Sequence, residues 1–448
     1  MPAVVVHCAT LEKLGVPTAP IEAKAFSNLS RMYAELVGMP YHRIINVPHP
    51  ISRVPAEICR EYIEGHDPAT GRPVVDEIVE ALTKPLTKEE KHAGWVERTM
   101  PRLIGPDTEE NLQCLFVENK WTDYLPIVLP TEERVANILK GISHPANEVV
   151  GEFRSGYEAC SFTVEKVAAN AVMAGAKPEH MPVILAMAAS GVSVLATSTQ
   201  SFARMIVING PIRNVIGMNS GCGALSPFNE ANAIIGRAAT LMSMNLGAGG
   251  VPGLTYWGSQ GNSLDYNHVT FAESEEGLPQ GWKPFHVQKG FKPEESVISF
   301  FHGYSLLHWK STYEREKHKA MAHMSNWNLP SGGYKSGFSL LLDPIVAEDL
   351  VREGFPTKES VSEYIYKNAM LTLKEFWQYH LVEGKSLPAA KQGIEPYASW
   401  LKQPKDTLIN RYRSPDEISV LVVGGKTNDF WQAGDWHHLG SLSIDDWR

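Results

Sequence analysis

The stretch Asn219-Ser220-Gly221-Cys222-Gly223 sets a thiol between two glycines, just ahead of a helical pattern running from Asn229 to Leu246. The glycines leave the backbone free to take positive φ and to approach a ligand closely. Asn219, Ser220, Asn229 and Asn232 supply neutral donors and acceptors. A helix beginning near Asn229 points unpaired N–H groups at the loop, and such an end attracts anions and activates a nearby thiol. One reading is a site for a carboxylate or phosphate group. The other is a tight turn whose side chains bond their own backbone. Arg237 either clamps a carboxylate or pairs with an acidic neighbour. Asn209 closes the apolar run Arg204–Asn209 (RMIVIN) just before this loop.

Two more stretches belong in the chemical inventory. Val420–Lys426 (VLVVGGK) is a buried strand entering Gly424 and Gly425, the pattern by which α/β proteins bring backbone N–H groups to a ligand. It matches neither GxxxxGK[ST] nor GxGxxG. Val47–Pro50 (VPHP) holds His49 on a stiff loop after a strand, as a donor or base. Cys222 and His49 are the candidate catalytic side chains. Asn209, Asn219, Ser220, Gly221, Asn229, Asn232, Arg237, Gly424 and Gly425 are the candidate substrate contacts. Most free cysteines are small buried hydrophobes, which is the alternative for Cys222. No HExxH or facial-triad spacing occurs, so no metal site is expected. No GxSxG elbow supports hydrolase chemistry. The sequence names no cofactor.

The elements that position these residues follow from periodicity. Strands are expected at Ala3–His7, Arg43–Val47, Asn111–Glu118, Ile127–Leu129, Arg204–Asn209, Val269–Ala272, Phe285–Gln288, Ser296–Phe301 and Ile418–Val423. Helices are expected at Ile21–Val37, Val74–Leu82, Thr163–Ala174, Pro182–Ala196, Asn229–Leu246 and Thr357–Tyr379, and a further one is capped by Asp343-Pro344 and closed by Gly354. The fold class is α/β: a small N-terminal α/β unit plus a larger helix-rich α/β domain. The expected segments are 1–95, a linker with short strands over 96–145, a central ligand domain over 146–330, and C-terminal helices with the Gly-Gly strand over 331–448. No internal repeat is visible.

Bulk composition excludes several classes. The net charge of −9 without a basic run argues against nucleic acid or an anionic membrane surface as partner. No apolar window reaches a membrane span, and no secretory signal opens the sequence, so a cytoplasmic location is expected. Five widely spaced cysteines without CxxC indicate neither a disulfide scaffold nor a zinc ribbon.

The runs VEKVAANAVMAGAKPEHMPVILA (164–186) and VINGPIRNVIGMNSGCGALSPFNEANAIIGRA (207–238) resemble the large domain of UGSC-family proteins. VVVHCATLEKLG, MYAELVGMPYHRIINVPHP and IVEALT near the N-terminus are similar to the second half of the UGSC domain itself. The family is named for a Sec/Cys-Gly-Ser-Cys motif. No CGSC occurs in this sequence, and Ser226-Pro227-Phe228 replaces a turn of small residues. The resemblance therefore implies either that a second polypeptide carries the motif or that the pocket serves another chemistry. It implies thiol or selenol chemistry but no substrate; together with the polar loop, the expectation is an enzyme subunit acting on a small, anionic organic substrate, by thiol-dependent redox or lyase/hydratase chemistry shared with a CGSC-bearing partner chain. The alternative is a non-catalytic structural or regulatory subunit that retains the pocket.

Overall fold

Runs of β-branched and aromatic residues supply the strands around which the chain is organised. In the computed structural model the described residues are 2–51, 54–91, 101–154, 159–195, 200–247, 249–253, 255–310, 316–327 and 337–448. Fourteen strands lie among them: β1 (Ile21–Ala23), β2 (Ile45–Val47), β3 (Val149–Arg154), β4 (Ala159–Thr163), β5 (Ala203–Asn209), β6 (Thr270–Ala272), β7 (Val297–Gly303), β8 (Leu307–Lys310), β9 (Phe338–Leu342), β10 (Met370–Thr372), β11 (Leu408–Asn410), β12 (Ile418–Val422), β13 (Phe430–Gly434) and β14 (His437–Ser443).

Two four-stranded sheets, ordered β14-β7-β5-β6 and β12-β9-β13-β8, form the centre. They share one plan. A parallel pair, β5 with β6 or β9 with β12, is followed by an antiparallel strand, β7 or β13. The fold thus repeats where the sequence shows no repeat. The fourth strand of each sheet is exchanged: β8 follows β7 in the chain yet pairs with β13, and β14 follows β13 yet pairs with β7.

Alternation along the strands makes a four-layer α-β-β-α arrangement. Met205, Val207, Phe271 and Phe301 of the first sheet meet Leu341, Leu421, Val423 and Trp436 between the sheets. Ile206, Ile208, Ile298 and Phe300 pack outward on the helices Val164–Met173, Met181–Ala189 and Glu230–Asn245. Leu340, Leu342, Val420 and Trp431 pack on Lys317–Ser325, Pro344–Arg352 and Lys358–Asn368. Fully buried Trp436 marks the strand exchange, where a Cβ on Gly303 would come within 2.7 Å of its ring. Asp435 Oδ1 accepts from the N–H groups of Tyr304 (3.0 Å) and Ser305 (2.9 Å), stitching the two crossovers together. The boundary expected near 330 falls outside the described residues, and the exchange ties the segments on either side into one body.

A buried carboxylate joins the sheets. Glu273 follows β6 and is fully buried. Its Oε1 accepts from Lys358 Nζ (2.5 Å) and Val422 N–H (3.2 Å), and its Oε2 from Asn209 Nδ2 (2.8 Å) and Phe285 N–H (2.6 Å). The α/β class is thus observed, with several local departures. Pro2–Lys13 is a helix rather than a strand at Ala3–His7, because Val6 and Ala9, one helical turn apart, pack on Leu29, Tyr33 and Val37. Glu109–Glu118 is a helix, started by Thr108 capping Asn111 N–H. Ile127–Leu129 finds no strand partner among the described residues. Phe285–Gln288 is one helical turn after Pro284. Ile21–Ala23 is a strand, so the following helix is only Ser27–Leu36. The long helix expected to Tyr379 stops at Asn368, since Met370–Thr372 pairs with β11 and Thr372 caps a new turn with Glu375.

Lys358→Met is expected to cost about 3–5 kcal/mol, because it strands a buried charge. A Lys358→Met/Glu273→Gln pair should recover part of that loss. Urea unfolding midpoints of the three proteins check this, and a midpoint unchanged in Lys358→Met would remove Glu273–Lys358 from its joining role.

Candidate functional site

The parallel pair β9–β12 ends in Asp343 and in Val423-Gly424-Gly425, and ligand crevices open at such carboxyl ends. Here the opening is a cavity of about 370 Å³, lined on one side by Cys222, Gly223, Ala224, Leu225 and Ser226. Gly424, at φ +113, donates its N–H to Ser220 O at 2.8 Å. A Cβ on Gly425 would lie 2.1 Å from Cys222 Sγ and 3.1 Å from Cys222 N, so only glycine lets the loop seat here. The two glycine-bearing stretches, far apart in sequence, are built against each other, and the Cys222 thiol is free and exposed.

The rest of the lining was not legible as a site. His308, Asp343, Thr427, Asn428 and Gln432 supply polar groups, while Leu341, Val423, Phe430 and Trp431 supply apolar surface. His308 lies with its ring 5.1 Å from that of Phe430. Asp343 caps its helix by accepting from Val346 N–H (2.8 Å), and also accepts from Phe430 N–H (2.5 Å). Burial pushes its carboxyl above the usual range, with those backbone donors opposing. Asp343 carried a helix-cap signal in the sequence, but nothing local tied it to Cys222. His308 gave no signal, because strand exchange brings it here.

The amides expected to bind substrate serve the loop instead. Asn219 Nδ2 donates to Cys222 O (3.0 Å) and Asn229 Oδ1 (2.7 Å), and its Oδ1 accepts from Gly221 N–H (2.9 Å). Asn229 Nδ2 donates to the carbonyls of Gly223 and Ser226, both at 2.8 Å. Asn232 bridges Asn219 and Ala224. These residues hold Cys222 in place, as in the second reading of the loop. Arg237 makes a bidentate pair with Asp123, both contacts 2.9 Å, and so clamps the chain rather than a ligand. Asn209 is buried against Glu273 and Glu275. His49 sits elsewhere, edge-on to Phe26 at 5.5 Å, and does not line the cavity. Among the lining residues none is Lys or Arg, so nothing in the cavity favours the anionic substrate expected from the sequence.

The model of the UGSC family matches residues 2–112. That span covers β1, β2 and the N-terminal helices, and it ends before the 164–238 stretches and before every residue lining the cavity. Neither the curated proteins nor the solved structures contain a match to the chain. No described helix is long and apolar enough to cross a membrane.

Gly425→Ala is expected to displace the Cys222 loop and cost about 1–3 kcal/mol by overpacking. Adding Cys222→Ala should recover part of the loss by removing the Sγ clash. Equal urea midpoints for wild type and Gly425→Ala would contradict the packing described.

Proposed function

We propose that this chain is an enzyme subunit whose Cys222 cavity binds a small, uncharged polar organic molecule, with Cys222 as the reacting thiol. The observation that carries the reading is the seating of Gly425 on Cys222 Sγ. Two loops and three asparagines converge to present one exposed thiol at the edge of a parallel strand pair, where a structural cysteine needs no such apparatus. A thiol presented this way attacks an electrophilic carbon, or attacks a disulfide and expels its other sulfur as a thiolate. His308 and Asp343 line the same cavity and are the groups available for proton transfer. The reaction class, thiol-dependent redox or lyase/hydratase chemistry, rests on the UGSC resemblance of the N-terminal part.

A partner chain bearing the CGSC motif belongs to the same proposal. The open edge of β2 does not call for one, because Asp67 Oδ2 already accepts Asn46 N–H there at 2.5 Å. Phe228 does support it. It is 99% exposed and held at φ +79, directly beyond the cavity loop. A strained, fully exposed aromatic contributes nothing to the isolated fold and suits an anchor in a partner's pocket.

Binding without catalysis is the second reading. It is favoured by one observation: the loop amides are all satisfied within the loop, leaving few polar groups to orient a substrate.

Incubation with the small-molecule fraction of its own cells, followed by mass spectrometry, tests the proposal. Protein isolated from those cells is expected to consume one species, and Cys222→Ala to lose that consumption by about 10²-fold or more. Consumption unchanged in Cys222→Ala would contradict Cys222 as the reacting thiol, and no consumption by the unaltered protein would leave only the binding reading.

A further inference from the structure

Four buried polar atoms, Ser193 Oγ, Tyr256 Oη, Asp265 Oδ1 and His268 Nδ1, have no hydrogen-bond partner among the described residues. Ser201 approaches the Tyr256 hydroxyl, off hydrogen-bonding geometry. Ser193, Asp265 and His268 lie around Arg204, at the start of β5, and Tyr256 lies near Asp265. Arg204 Nε donates to Ser193 O at 3.1 Å, and Nη1 meets the ring of His302, its cross-strand neighbour on β7. The guanidinium lies 4.6 Å from the centre of the Phe202 ring. Among the described residues Arg204 has no carboxylate in ion-pair contact. His268 is fully buried, with Nδ1 3.7 Å from Asp265 Oδ1 and Nε2 2.7 Å from Thr240 Oγ1. The Asp265 side chain is 17% exposed, so the group opens to the outside.

Each orphaned atom keeps its full cost of leaving water unless something completes it. Four together, beside a guanidinium whose nearby carboxylate, Asp265, is not in ion-pair contact with it, are not an ordinary core. The backbone adds a second sign. His268 and Val269 are held at φ +52 and +43, a region a β-branched residue rarely occupies. Such strain persists where the surrounding fold dictates it, and it collects at functional sites.

We infer that this cluster is a second binding site, separate from the Cys222 cavity, for a small molecule bearing a carboxylate. Arg204 and the Tyr256 hydroxyl hold the carboxylate, and Asp265 with His268 faces the remainder of the molecule. A carboxylate suits the site better than a phosphate. There is one guanidinium, its Nε is already given to Ser193 O, and a dianion would meet Asp265. Burial supports this arrangement: it pushes the Asp265 carboxyl up to about 7, against the pull of Arg204, and draws His268 down to about 3. Arg204 itself is lowered by burial only to about 10 and stays charged. The other titratable groups beside the cluster are Tyr256, His302 and Tyr304. None of these residues lines the Cys222 cavity.

Sodium acetate is the probe. Thermal unfolding of the full chain is followed as acetate is raised at pH 6 against sodium chloride of matched ionic strength. Saturable stabilisation by acetate and not by chloride is expected, unchanged after alkylation of Cys222. Arg204→Gln should weaken the acetate response about tenfold or more. If that variant does not fold, Tyr256→Phe decides, with an expected weakening of about fivefold. No saturable response, a response shared with chloride, or one retained in Arg204→Gln or Tyr256→Phe would overturn the assignment. The first of these results would leave water as the only occupant.

Discussion

Glu273 is the constraint on which the two-sheet body depends. A carboxylate removed from water must be fully hydrogen-bonded or it unfolds its surroundings. This one is satisfied only when four separate segments are in place: β5 through Asn209, the turn at Phe285, the helix that carries Lys358, and β12 through Val422. Ser274 N–H adds a 2.7 Å bond to Val422 O beside it. The ends of the two parallel strand pairs are therefore locked in register across the interface between sheets.

The same constraint explains where the cavity is. The two sheets are built alike, so Glu273 after β6 corresponds to Val423 after β12: Glu273 N–H bonds Ile208 O and Val423 N–H bonds Leu342 O. In the first half the crevice at the strand ends is filled by the Glu273 network. In the second half two glycines follow Val423, and the space stays open to receive the Cys222 loop. Strand exchange then supplies His308 from β8. One repeated plan thus yields a structural knot at one end and a thiol-bearing cavity at the other.

Much of this was legible in residue patterns, and the misses have physical causes. The helix opening at Asn229, the Asp343-Pro344 cap and the strands around RMIVIN and VLVV follow local rules of periodicity and capping, and they form as expected. The importance of Cys222 beside Gly424-Gly425 could be suspected from glycine density, but their contact could not, since it depends on the two-sheet packing. Ala3–His7 was misread because a short apolar run carries no period to separate strand from helix. The loop asparagines were misassigned because donors that organise a loop and donors that bind a ligand look the same in sequence. Arg204, Asp265 and His268 gave no signal, since a buried cluster drawn from two segments well apart in the chain leaves no motif.

Cys222 is an accessible thiol in a cavity lined by neither lysine nor arginine. Competitive alkylation of the folded chain with equal iodoacetamide and iodoacetate measures both properties at once. Cys114, also exposed, is the internal reference. The account expects Cys222 to react readily and to favour the neutral reagent more strongly than Cys114 does. A Cys222 that stays unmodified in the folded chain, or that favours iodoacetate, would contradict it.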